Sequence, residues 1–257
     1  MRHLLFFSLL LLAGCVNQAV NPPQTSNAIT SRETTTAQSD TILLKAQGNE
    51  PFWSVTFTKT EMELSGLDIE TLTVPLPKEI TRPVDANVYA YRAQTEQGDL
   101  FVELTPENCD DTMADRSYPF SARVQVKRAG AADYTTYVGC ADYPENYQPL
   151  VGDWRVVSID GNTIEEGPQQ PTITFAGVKG TVSGSTGCNR FNGTYILEEN
   201  SSRLTFSPLA VTRKMCRGEN PEQAFLSVLR AQPLGVVMLP GWVFLRNSTG
   251  RRMELGR

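Results

Sequence analysis

The chain has 257 residues, a formal net charge of −5, one histidine and no run of basic residues. A mildly acidic chain without a basic stretch is a poor candidate for binding nucleic acid or an anionic membrane. The length accommodates two small domains, each large enough for a core of its own.

Residues 1–14, MRHLLFFSLLLLAG, read as a secretory signal peptide: Arg2 and His3 precede an apolar run from Leu4 to Leu12 and then small residues. The run is too short to span a bilayer. Leu12-Ala13-Gly14-Cys15 resembles the bacterial lipobox, whose cysteine is acylated and becomes the first residue of the mature protein. The alternative is an ordinary signal peptide with an incidental cysteine. Acyl chains on Cys15 would hold the chain at a membrane, each buried methylene contributing roughly 0.8 kcal/mol. Val16, where an aspartate would favour retention at the inner membrane, implies the outer membrane and its periplasmic face. Cleavage removes the one positive charge of Arg2, taking −5 to −6, and also removes His3, the only histidine.

Residues 15–40 continue as the lipidated cysteine and a polar, aromatic-free stretch that cannot order itself by burial. As a random-coil tether it would reach on the order of 25–30 Å. From Thr41 the chain becomes strand-like. WSVTF alternates Trp53, Val55 and Phe57 against Ser54 and Thr56, and VYAYRA, LFVELTP, FSARVQVK and YTTYVG follow as short β-rich runs. This unit covers residues 41–145.

A second unit covers residues 148–257. GDWRVVSI is a strand, Asp160-Gly161 a hairpin turn, and PTITF, GTVSG, FNGTYIL and RLTFSP are further strands, with Asn192-Gly193 as another turn. Asn220 caps a helix starting at Pro221, with Glu222 in its first turn. Phe225, Val228 and Leu229 line one helix face before Pro233 stops it. GWVFLRN and RMELG close the unit as strands. The fold class is therefore mainly β: two small antiparallel β-rich domains, the second carrying one helix.

Setting Cys15 aside for lipid leaves Cys109, Cys140, Cys188 and Cys216, and an oxidising periplasm favours their pairing. Four cysteines allow three connectivities. The division into two units favours 109–140 and 188–216, each contributing roughly 3–4 kcal/mol in the chain-entropy picture.

The segments VGDWRVVSIDG, PTITF, VSGSTGCNRFNGTY, LAVTRKMC, PEQAFLSVL and RRMEL, in that order, resemble the META/HslJ domain family over about Leu150 to Gly256. The resemblance implies an incompletely closed antiparallel barrel packed by a helix, similar to pilotin-type lipoproteins that assist secretins. It also implies a heat-shock or envelope-stress setting and no agreed catalytic activity. The first unit is similar to a bacterial domain marked by GNEPFW, DDTMADRSYPF and YVGCA, often found in lipoproteins and sometimes fused to a META/HslJ domain.

Cys188, flanked by glycines in GSTGCNRFNGTY, raises the question of chemistry. A Cys-His or Ser-His-Asp site needs an imidazole, and the mature chain has none. Ser-x-x-Lys, Gly-x-Ser-x-Gly, phosphate-loop and dinucleotide signatures are absent as well. Separated cysteines fit disulfides better than zinc. Glu107, Asp110, Asp111 and Asp115 lack the alternating calcium-loop pattern, so neither metal nor cofactor is expected. Glu50, flanked by aromatics, is the best lone carboxylate for acid–base work, against the plainer reading that it enters a strand whose Phe52 and Trp53 anchor the core. Arg190 is a surface or turn residue that could meet a partner beside an inward Phe191, and Trp154 and Trp242 read as core or barrel-end packing.

The expected function is thus a non-catalytic, membrane-anchored envelope lipoprotein that binds or assists other envelope components, with Glu50, Trp53 and Arg190 as candidate contacts. The alternatives are a carrier holding a lipid or small apolar ligand in the second barrel and a carboxylate-based hydrolase.

Overall fold

A computed structural model describes residues 41–83, 86–111, 116–145, 147–177, 180–198, 202–216, 218 and 220–257. The signal, Cys15, the tether and Asp115 lie outside these residues. No helix among the described residues is long and apolar enough to cross a membrane.

The first sheet has eight antiparallel strands: β1 (Leu44–Asn49), β2 (Phe52–Phe57), β3 (Glu61–Gly66), β4 (Ile69–Pro75), β5 (Tyr89–Thr95), β6 (Gly98–Asp111), β7 (Arg116–Arg128) and β8 (Thr135–Asp142). Their spatial order is β4-β3-β2-β1-β8-β7-β6-β5. Trp53, Val55 and Phe57 of β2 point inward, as their alternation requires. The sheet curls until β4 and β5 approach without pairing; the bridge between Thr81 and Ala90 lies on the β5 side of that gap. The barrel is therefore nearly closed. Cys109 on β6 and Cys140 on β8 form a disulfide, tying two strands that β7 separates.

The second sheet is built from β9 (Gly152–Ile159), β10 (Asn162–Thr163), β11 (Thr172–Ala176), β12 (Thr181–Ser185), β13 (Arg190–Leu197), β14 (Arg203–Phe206), β15 (Ala210–Val211), then α1 (Glu222–Arg230), β16 (Leu234–Leu239), β17 (Trp242–Arg246) and β18 (Arg252–Gly256). Here the ring closes: β18 pairs back onto β9, with Leu255 opposite Val156 and Met253 opposite Ile159. The mainly β class with a single helix holds, but the gap expected in this barrel is absent. The terminal strand satisfies the edge of β9 that an open barrel would leave unpaired. The shortest seam of the ring is β14–β16, where only Arg203–Gly235 and Leu204–Leu234 pair.

Asp160 (φ 53°) and Gly161 (φ 85°) make the expected hairpin turn after β9. Asn192-Gly193 makes none. Both lie within β13, opposite Ser183 and Val182. A Cβ on Gly193 would sit 2.7 Å from Leu209 Cδ2, so this glycine serves close packing rather than a turn. The helix starts one residue later than expected, at Glu222, whose N–H donates to Asn220 Oδ1 at 3.2 Å. It buries Phe225, Leu226, Val228 and Leu229 against the barrel. β16 is not among the strands expected of this unit; its Leu-Gly-Val-Val run follows directly on Pro233, where the helix stops.

The two cores are not symmetrical. The first includes Leu239 and Phe244 from the second half of the chain, with Val237 and Trp242 packed against it. The second draws all its buried residues from Leu150 onward. At the junction, the buried Tyr91 hydroxyl donates to Pro240 O at 2.9 Å and the Tyr143 hydroxyl to Met238 O. Burial pushes both phenols above their usual range, so both remain donors. The Tyr89 ring lies 4.7 Å from that of Phe244, and Arg82 reaches Glu254 at 3.6 Å.

Candidate functional site

At the GNEPFW turn, β1 ends at Asn49 and β2 starts at Phe52 across a cis Glu50–Pro51 bond. Gly48 is needed beneath Trp53: a Cβ there would lie 2.3 Å from the indole nitrogen. Trp53 is 3% exposed and 6.0 Å from the Tyr137 ring, so it is a core anchor. Phe52 is 56% exposed and is not the second anchor expected of it. Successive strand residues face opposite ways, so an inward Trp53 leaves Phe52 outward. Leu67, also exposed, donates its N–H to Phe52 O at 3.1 Å. Together with Ile69 and Tyr137 they line a shallow depression rimmed by the exposed carboxylates of Glu50 and Asp68. Of the acidic cluster, Glu107 and Asp111 lie on β6 rather than in a loop; Asp111 accepts from Asn49 Nδ2 at 2.9 Å and Glu107 from the Ser121 hydroxyl at 2.6 Å.

Cys188 forms a disulfide with Cys216. Beside it, buried Asn189 donates through Nδ2 to both Glu222 oxygens, at 3.1 and 2.9 Å. Asn189 Oδ1 accepts from Lys214 N at 2.7 Å and Thr212 Oγ1 at 2.8 Å. The buried Thr186 hydroxyl donates to Glu222 as well. Burial by itself would raise the Glu222 carboxyl, but the bonds from Thr186 and Asn189 outweigh it and hold it below the usual value. Three segments are thereby fastened together: the β12–β13 loop, the stretch after β15 and the first turn of α1. The two sulfurs and a Glu222 oxygen lie within 4.8 Å of one another, yet the sulfurs are bonded to each other and the carboxylate is taken by Asn189 and Thr186. Arg190 is exposed at the start of β13, while Phe191 packs 5.4 Å from Phe225. The pattern Thr-x-x-Asn followed by a helix-initiating glutamate carried no signal of this network, since its members meet only in the fold.

A cleft of 710 Å³ opens between the two barrels. Its walls include Leu43, Leu76, Lys59 and Lys78 from the first half and Arg155 and Trp242 from the second. Trp154 is buried beneath it, donating to Leu150 O at 2.8 Å under the Arg257 guanidinium, which sits 4.0 Å over the ring. Trp242 stacks on Phe244 at 6.1 Å and keeps one face on the cleft. Neither the cleft nor its cations were legible in the sequence.

A small antiparallel barrel, closed on itself and packed by one helix, is the class of domain that the second half defines. Residues 148–257 match the family profile of the META domain, and this part of the chain is a META domain. Two solved structures are similar to the chain. One, an NMR structure of a protein, shares 24% identity and covers 42% of this chain and 93% of its own, with a TM-score of 0.36. The other, an NMR structure of a protein from Burkholderia xenovorans, shares 26% identity over 44% of this chain and 90% of its own, with a TM-score of 0.35. No curated protein matches the chain significantly.

Proposed function

We propose that this chain is a non-catalytic envelope lipoprotein, held by lipid on Cys15 at the periplasmic face of the outer membrane. There it binds or assists other envelope proteins, in keeping with a stress-response role. The observation that carries the reading is the exposed apolar pair Phe52 and Leu67, presented on a turn whose neighbour Trp53 is locked into the core. Adjoining exposed apolar side chains backed by Ile69 and Tyr137 and rimmed by charge are what a protein contact surface needs. The two disulfides accord with an oxidising compartment.

Photo-crosslinking in cells tests this. A photoreactive residue at position 52 or 67 of the lipidated full chain should give one or a few discrete adducts. The same residue at exposed Ile196, on the META domain, should not give them. Identical smears from all three positions, or no adducts, would overturn the proposal.

The carrier reading gains one observation, the cleft. The META barrel's interior is occupied by Ile173, Phe175, Leu204 and Phe225, so a carried molecule belongs between the barrels. A hydrolase would have to rest on Glu50 and Asp68, both exposed on a shallow rim.

A further inference from the structure

We infer that the cleft between the barrels binds the head of an anionic lipid. Lys59, Lys78 and Arg155 hold its phosphate, and Trp242, Leu76 and Leu43 receive the adjoining apolar groups. Three cations converge on one cavity in a chain whose net charge is −5. Among the described residues none of the three is within ion-pair distance of a carboxylate. The one acidic side chain in the wall, Asp153, accepts from the Thr174 hydroxyl at 2.6 Å. Arg257, also in the wall, is committed to Val151 O and the Trp154 face. Cations gathered in a concave site with apolar walls repel one another until an anion joins them, and the concavity focuses their field. The 710 Å³ volume lies within the roughly 300–1,000 Å³ of ordinary ligand sites.

The apolar walls favour a lipid over a free anion. The choice of a lipid rests on the membrane attachment proposed above; the capture of an anion does not.

The test uses the lipidated full chain in nanodiscs of phosphatidylcholine containing a graded fraction of phosphatidylglycerol. Of the three tryptophans, Trp53 and Trp154 are 3% and 2% exposed, so Trp242 reports on the cleft. Its fluorescence should change saturably with the phosphatidylglycerol fraction, and Trp242→Phe should abolish the change. Lys59→Ala, Lys78→Ala and Arg155→Ala should each raise the fraction needed for half-response about three- to tenfold. Lys45→Ala, exposed on β1 outside the cleft, should not. The variants' unfolding midpoints show whether they have folded.

A response that inorganic phosphate reproduces in pure phosphatidylcholine discs would overturn the lipid assignment. No response, or one that the three alanine variants retain, would overturn the site. Failure of the chain to enter the discs would instead contradict the membrane anchor, so the two proposals fail separately.

Discussion

The two barrels solve the same problem differently. The META barrel closes its own ring by pairing β18 with β9 and fills its interior from its own half of the chain. The N-terminal barrel leaves β4 and β5 unpaired with each other and completes its core with Leu239 and Phe244, from the β16–β17 hairpin of its neighbour. A closed ring has no edge to protect. An open one must be covered, and here part of the cover comes from another domain. Dependence should therefore run one way: the N-terminal barrel needs the META domain, and the META domain does not need it.

The strongest way to break this asymmetry is to empty each core in turn. Phe225→Ala, at a fully buried position on α1, should destabilise the META barrel by about 3–5 kcal/mol. In urea it should bring both barrels down in a single transition, because the N-terminal barrel loses its cover. Leu64→Ala, fully buried on β3, should cost about 2–5 kcal/mol. It should split the transition, with the META barrel unfolding last. Separate tryptophan signals from Trp53 and Trp154 distinguish the two outcomes.

Removing one disulfide at a time sharpens the comparison at a smaller scale. Replacing Cys109 and Cys140 by serine should cost the N-terminal barrel about 3–4 kcal/mol and leave the META midpoint unchanged. Replacing Cys188 and Cys216 should lower both midpoints by a comparable amount. Non-reducing peptide mapping confirms which bond each variant lacks.

The smallest effect concerns pH. A carboxyl held below its usual value contributes stability above that value and loses it as the pH falls through the lowered one. Glu222 is held below 4.5, so Glu222→Gln should be less stable than the parent at neutral pH, with the gap narrowing below pH 4.5. Thermal unfolding across that range should show the convergence in the META transition. A gap that stays constant with pH would mean that the carboxylate's charge does not matter to the Asn189 network.

How much of this was legible follows from what is local. Alternation along WSVTF and the apolar face of PEQAFLSVL are local, and both gave the right elements. Asp160-Gly161 is a turn because its neighbours on both sides are extended and pair. Asn192-Gly193 has the same residue chemistry but sits where β12 and β15 both pair with β13, and that pairing is not visible in a dipeptide. Closure of the ring depends on RMELG meeting GDWRVVSI from the far end of the domain, which no window of sequence contains. Trp53 is the core anchor that its place in the strand suggests and, at 3% exposure, not the candidate contact also expected of it; Phe52 beside it faces out because two adjacent aromatics cannot both face inward from a regular strand. The cleft was invisible for the strongest reason: Lys59 and Lys78 come from one barrel and Arg155 from the other.

Expressing each half alone tests the one-way dependence of the barrels. Residues 148–257 should give a dispersed amide spectrum and a cooperative unfolding transition. Residues 41–147, with the seat of Leu239 and Phe244 exposed to water, should give a collapsed spectrum that becomes dispersed when the META half is added in trans. A dispersed, cooperatively unfolding N-terminal half on its own would contradict it.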